Sequence, residues 1–469
     1  MEESIEKEDP NAWMRGKTED EIDTILIREL KHHFDIDKDE GGYKIAKYLV
    51  ERYSIRTIGE REREMFMYDR GVYVPGNNFI RKWLHDLLEV KCKTHTRNEI
   101  LEKVKDLSMT DRNTFTVDKN FINLENGVFD LQKYELTPHN PIRLFLNKIP
   151  TSYVSEVDCP AIKKFLHEIL DNESIKVIQE FVGFGLYRQY FIKKALILVG
   201  EPNTGKTTLL RIIHSLFGKD NRAGVSLQKI TTDKFSAAEL YHRHINTFDD
   251  LSFKDINDTG AFKIVTGGGS ITAEHKFKSP FQFENYAKLI YACNKIPDVK
   301  MMDDDAYFSR WIIVRFNKQV EKVDNFLVEK LTTSEEMTGL LNFALEGLRR
   351  LLLQRAFSYP MGPEEIKLEM MRSSPSLASF VSTCLVKDPD SWVSKDDLYF
   401  AFKQYAMEHN IVVLTKENLG KKLQGVAPYI DPAKKTVNGK QVTGWHNVKI
   451  ISHPLKKEES KESRDSILF

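Results

Sequence analysis

ALILVGEPNTGKTTLLRIIHSLF, residues 195–217, is an apolar run, a glycine-bounded loop and an amphipathic segment in direct succession. The run from Ala195 to Val199 reads as a short buried strand. It feeds Gly200-Glu201-Pro202-Asn203-Thr204-Gly205-Lys206-Thr207-Thr208, which contains G-x-x-x-x-G-K-[ST] in full. After the lysine, apolar side chains recur at helical spacing. Strand, loop and helix in that order form a phosphate cradle. The glycines let backbone N–H groups wrap the phosphates, and the helix N-terminus adds positive potential there. Lys206 is expected to reach the β- and γ-phosphates, and Thr207 to hold Mg²⁺ through its hydroxyl. Residues 200–208 are the expected ATP-binding loop, with ATP and Mg²⁺ as its ligands.

A phosphate loop also needs an acidic partner at the end of a neighbouring strand. INTF (245–248) followed by Asp249-Asp250 supplies two carboxylates. Asp249 is expected to hold the metal with Thr207, and Asp250 to orient the attacking water. Asp303-Asp304-Asp305 is a rival cluster, but it follows Pro297 in loop-like sequence and reads as a surface loop. KLIYAC (288–293) and WIIVRF (311–316) are further buried-strand candidates. Strands alternating with helices in this way predict a parallel sheet covered by helices.

The chain has 469 residues, too many for one ordinary core. With 41% hydrophobic and 29% charged residues it is of globular type. It contains no apolar run of about 18 residues, so a spanning helix is not expected. Its acidic beginning, MEESIEKEDP, does not read as a signal peptide. The four cysteines are scattered, which argues against a disulfide framework or zinc cluster and for a reducing, intracellular setting. Net charge is zero but uneven. Residues 1–40 hold 14 acidic against 6 basic side chains, and residues 411–457 hold 2 against 9. A basic end of this kind suits nucleic acid.

The expected organisation is a flexible stretch 1–20, a mixed α/β region 21–147, the phosphate-loop core 148–355, a Pro- and Ser-rich linker 356–376, a third domain 377–455 and a disordered tail 456–469. In the first region, amphipathic segments predict helices, and FMYDRGVYV predicts two strands around Asp69-Arg70-Gly71. The third domain reads as three helices followed by a hairpin turning on Asn438-Gly439, which looks like a winged helix. Lys421 and Lys422 fall on its third helix. Lys434, Lys435 and Lys440 line its wing, as DNA backbone binding requires.

FKIVTGGGSITAEHKFKSPFQFENYAKLIYACNKIP, residues 262–297, lies between the acidic pair and the next strand. It resembles the superfamily 3 helicases of viruses and plasmids, more closely the helicase half of phage, plasmid and poxvirus primase–helicases. The positions that carry the resemblance are Lys263, Gly268-Gly269, Ile271, Lys276, Lys278 and Asn294, then Arg310 ahead of WIIVRF. INLENGVFDLQKYELTPHNP and KIPTSYVSEVDCPAIKKFLHEIL resemble that family's helicase-associated region, so the likeness covers roughly residues 60 to 455.

The resemblance implies an AAA+-type ATPase that forms a ring, usually a hexamer, with ATP held between subunits. Asn294 would be the polar sensor beside the γ-phosphate. Arg310 would be the finger offered to the neighbouring subunit's ATP. Arg315 ranks below it, because it can simply pair with an acid. Lys263, His275, Lys276 and Lys278 are expected to contact DNA, the last three at a hairpin tip in the central channel that grips one strand without reading sequence.

Asp35-Ile36-Asp37 resembles the metal-binding DxD of archaeo-eukaryotic primases. LKHHF before it does not read as a strand, however, and too few residues precede the helicase-associated stretch for that fold. A separate primase and a DNA polymerase are therefore the expected partners. Two readings remain: a replicative DNA helicase, or an ATP-switched origin-binding or loading factor that does not separate strands. A small-molecule kinase explains neither hairpin, nor Arg310, nor the basic end.

Overall fold

The computed structural model describes residues 18–59, 63–115, 118–249, 259–274, 280–296, 304–320, 324–373, 377–409, 413–437 and 439–451. The chain divides into two compact units, Met1–Tyr153 and Val154–Phe469.

The first unit opens with α1 (Glu19–Ile36) and α2 (Lys38–Arg52), joined at Asp37. The Asp37 carboxylate accepts from Asp39 N at 2.8 Å and Glu40 N at 3.0 Å and so caps α2, while Asp35 pairs with Lys91 at 2.6 Å. The DxD triplet is thus a helix junction. β1 (Arg56–Ile58), β2 (Glu64–Asp69) and β3 (Val72–Pro75) form an antiparallel meander, with Asp69 paired to Val72 across the expected turn. α3 (Asn77–Leu88) and α4 (Thr94–Leu107) follow, and the four helices bury Phe34, Ile45, Leu49, Leu84 and Val104 in one core. A second meander, β4 (Phe121–Leu124), β5 (Gly127–Asp130) and β6 (Glu135–Thr137), completes the unit.

The second unit begins with α5 (Pro160–Ile169) and α6 (Asn172–Leu186), then β7 (Ala195–Gly200) and α7 (Lys206–Phe217). β8 (Arg222–Ala223), α8 (Leu227–Thr232), α9 (Lys234–Ala238) and β9 (Ile245–Phe248) come next. α10 (Gly260–Val265), the hairpin β10 (Ser270–Ala273) and β11 (Phe281–Glu284), β12 (Lys288–Cys293), α11 (Asp305–Phe308) and β13 (Trp311–Phe316) complete the sheet region. The sheet has the order β13-β7-β12-β9-β8, and all neighbours are parallel. All six residues of β12 are buried, as a strand covered on both faces requires. The phosphate-loop strand β7 and the acid-bearing strand β9 are therefore not neighbours, because β12 lies between them.

α12 (Leu327–Leu331) and α13 (Ser334–Gln354) follow the sheet. α13 crosses α6 so closely that a Cβ on Gly183 would lie 2.2 Å from Ala344 O, and one on Gly347 2.4 Å from Gln179 O. Beside this crossing the fully buried Glu180 accepts from Arg350 Nε (2.6 Å), Ser358 N (2.7 Å) and Ser358 Oγ (2.7 Å). Glu336 of α13 accepts from Ala161 N and Ile162 N, both at 3.1 Å, and satisfies the first turn of α5.

The stretch 356–376, expected to be a linker, contains α14 (Pro363–Ser373) instead. Pro363 opens that helix, where a missing N–H does no harm, and Ile366 and Met370 bury one turn apart in the core of the sheet. The rest comprises α15 (Leu377–Cys384), β14 (Leu385–Ser394), α16 (Lys395–Glu408), α17 (Lys416–Val426), β15 (Asp431–Val437) and β16 (Lys440–Ile450). Its antiparallel sheet runs β14-β16-β15, so it adds a strand, β14, to the three helices and hairpin expected. Trp445 is buried in its core, and Trp392 lies against Gly444. Among the described residues no helix is long and apolar enough to cross a membrane.

Candidate active site

At the C-terminal ends of the sheet strands a cavity of about 360 Å³ is lined by residues 202–208 together with Asp249, Cys293 and Asn294. Three strands build it: β7 leads into the loop, β9 delivers Asp249, and the intervening β12 brings Asn294 between them. Gly205 stands at φ 94°, where a side chain is strained, and turns the loop into α7. Lys206 is buried and folds back on the loop. Its ammonium donates to Gly200 O at 2.5 Å and Glu201 O at 2.8 Å. Burial holds its pKa below the usual lysine value. Thr207 Oγ1 donates to Asp249 Oδ2 at 2.8 Å, so the hydroxyl and carboxylate expected to share a metal are in contact.

A neutral histidine stands behind this pair. His214 Nε2 on α7 lies 2.6 Å from Thr247 Oγ1 on β9, two residues before Asp249. Burial, with the nearby Arg222 and Arg211, pushes the imidazole down to about 4. Sequence reading passed over His214, because a histidine on an amphipathic helix carries no signal of its partner. Lys288 opens β12, and a lysine at the head of an apolar run likewise gives no sign of the carbonyls it meets. It is fully buried, donating to Tyr187 O and Tyr286 O at 2.6 Å beneath the rings of Phe184 and Tyr190.

Arg310 sits at the opposite, N-terminal end of the strands. Its carbonyl accepts from Ala195 N at 2.7 Å, at the first residue of β7, whereas the loop begins at the last, roughly 17 Å along the strand. Arg310 Nη1 donates to Ala306 O at 2.5 Å, and burial lowers the guanidinium's pKa. Arg315 forms an ion pair with Glu369.

Lys263, expected at DNA, is ion-paired with Asp304 at 2.8 Å. Asp304 is correspondingly no surface-loop residue. Its side chain is 10% exposed, caps α11 by accepting from Tyr307 N, and bonds Thr259. An acid shielded from water holds its cation more firmly than an exposed one, so any DNA contact by Lys263 would compete with Asp304. β10 and β11 pair from Ser270–Glu284 to Ala273–Phe281, which makes the base of the expected hairpin. His275, Lys276 and Lys278, expected at its tip, lie outside the described residues, as do Asp250, Asp303 and Asn438. Lys421 and Lys422 are exposed on α17, and Lys434, Lys435 and Lys440 are exposed on the hairpin of β15 and β16.

Comparison with known proteins places two family matches on the chain. Residues 18–171 match the family described as D5 N terminal like, and residues 198–310 match a family of unknown function, DUF5906. "Putative helicase L207/L206" of Acanthamoeba polyphaga mimivirus is 26% identical over 237 residues, covering 47% of this chain and 24% of that protein. "Putative helicase 022R" of Frog virus 3 (isolate Goorha) is 24% identical over 277 residues, covering 53% and 27%. The chain thus spans about a quarter of the length of these curated relatives. Among solved structures, the apo C-terminal region of NrS-1 aligns at TM-score 0.47 and 13% identity, over 87% of this chain and 99% of that one. With a D5-like match over its first part and helicase-named viral proteins among its relatives, the chain is similar to the phage and viral primase–helicases.

Proposed function

We propose that this chain is the motor part of a replicative DNA helicase of a virus, plasmid or integrated element. It hydrolyses ATP between the subunits of an AAA+-type ring, a hexamer on the family pattern, and moves along one strand of DNA. One observation carries the reading. Lys206, Thr207, Asp249 and Asn294 converge on one cavity, while Arg310 stands at the opposite end of the same strands. A finger so far from its own loop suits an ATP site completed by a neighbouring copy.

In this reading the loop N–H groups and Lys206 bind the β- and γ-phosphates. Thr207 and Asp249, two hard oxygen donors already in contact, would hold Mg²⁺, an ion usually bound by one or two carboxylates with substrate phosphates. The ion would neutralise charge on the phosphate oxygens. Asn294 orients the γ-phosphate, Asp250 positions the attacking water, and the neighbour's Arg310 stabilises charge as the phosphoryl group leaves. The residues 377–451 serve as a winged helix that holds duplex through Lys421, Lys422, Lys434, Lys435 and Lys440. Lys276 and Lys278 grip the single strand, and a separate primase and DNA polymerase complete the machinery.

Strand displacement from a forked duplex, with ATP and Mg²⁺, tests this against Lys206→Ala. The natural chain should release the labelled strand and the variant should not. If both bind the fork and neither displaces the strand, the motor reading fails and an ATP-switched loader takes its place.

A further inference from the structure

Two consecutive residues grip three consecutive carbonyls around Arg310. Lys194 Nζ donates to Ser309 O at 2.7 Å and to Trp311 O at 3.3 Å, and Ala195 N donates to Arg310 O at 2.7 Å. Ser309 and Trp311 are the immediate neighbours of Arg310, so their carbonyls set the direction in which its Cα–Cβ bond leaves the chain. The ammonium is poorly solvated, its pKa pushed down to about 8 by burial, and lies 5.9 Å from the ring of Tyr359. That ring is itself fixed, because Tyr359 Oη accepts from Ile313 N at 3.0 Å. The guanidinium is tethered on one side only. Nη1 reaches Ala306 O, whereas the buried Nε has no hydrogen-bond partner among the described residues.

We propose that Lys194 is a positioning residue for Arg310, aiming the guanidinium at the ATP held by the neighbouring copy. This rests on the inter-subunit reading above. Lys194 lies only six residues before the phosphate loop in sequence, yet its work is done at the other end of the strand and for another subunit's nucleotide. The physical requirement is preorganisation. A finger stabilises charge that appears only as the reaction proceeds, so its value depends on being in place beforehand, and a misplacement of about 1 Å can lower the rate roughly 10²-fold. An ammonium bridging two carbonyls removes the freedom of the turn that carries the finger.

Mixed assemblies read the direction in which Lys194 acts. Lys194→Met alone should lower DNA-stimulated kcat by 10- to 100-fold with KM for ATP little changed. Chains carrying Lys194→Met, co-expressed with Lys206→Ala chains, should regain hydrolysis, because the first supplies intact loops and the second intact fingers. Lys194→Met with Arg310→Ala should stay inactive, since both then lack a working finger. Lys206→Ala with Arg310→Ala is the control. If that control fails to recover, the inter-subunit finger is wrong and this proposal falls with it. If the control recovers but Lys194→Met is rescued by Arg310→Ala and not by Lys206→Ala, Lys194 serves its own subunit and the proposal alone is overturned. Lys194→Gln, which keeps a donor nitrogen without the charge, guards against misfolding. It should retain more activity than Lys194→Met and be rescued by the same partner, and failure of both variants to recover with Lys206→Ala overturns the proposal.

Discussion

Gly205 turns the phosphate loop into α7 at φ 94°, and a Cβ there would also stand 3.0 Å from Ile169 Cγ2. Gly205→Ala should therefore lower stability by roughly 1–2 kcal/mol from the left-handed backbone alone, read as a shift in urea midpoint. Nucleotide binding should weaken with it, because the same torsion aims the loop N–H groups. His214 gives a pH signature. Its folded pKa, about 4, lies below the ordinary 6.5, so the unfolded chain binds a proton between these values that the folded chain refuses. Stability should fall as pH drops through that window. His214→Gln should flatten the fall in Tm between pH 7 and 4.5 without abolishing it, since the fully buried His244 is shifted in the same direction. An unchanged slope would contradict the burial of His214. A motif in the sequence names Lys206 and Thr207. No motif names His214, whose role exists only because β9 passes α7.

At the scale of elements, α6 and α13 pack through glycine. Gly183→Ala would drive a methyl into Ala344 O, and neither backbone can yield without parting the helices. The expected loss is about 1–3 kcal/mol, typical of overpacking, measurable as a lower denaturant midpoint with the slope unchanged. The 356–376 stretch shows how composition misleads at this scale. Its prolines and serines read as a linker, yet Pro363 starts a helix and Ile366 and Met370 supply the two apolar positions that attach it to the sheet. One turn of spacing is too short a signal to outweigh three prolines until the groove that receives it is known. The expected strands of the central sheet, by contrast, all form, because apolar runs of four to six residues bounded by loops match strands buried on both faces.

For the whole molecule, the proposed duplex surface depends on exposed lysines of residues 377–451. Lys421→Ala with Lys422→Ala should weaken duplex binding uniformly across sequences and reduce the slope of log affinity against log salt by about 2, as loss of two phosphate contacts requires. Basal hydrolysis without DNA should be unchanged, and an unaltered salt slope would remove α17 from the interface. From the sequence alone came the strand–loop–helix of the phosphate site, its acidic partner, the parallel sheet and the basic character of the last region, because each is written in contiguous residues or a short periodic pattern. Tertiary structure alone decided the rest. It inserted β12 between β7 and β9, paired Lys263 with Asp304, and set Lys194 against the turn that carries Arg310. These are contacts across tens to more than a hundred residues, fixed by strand order and by which buried charges find partners, and no local pattern encodes either.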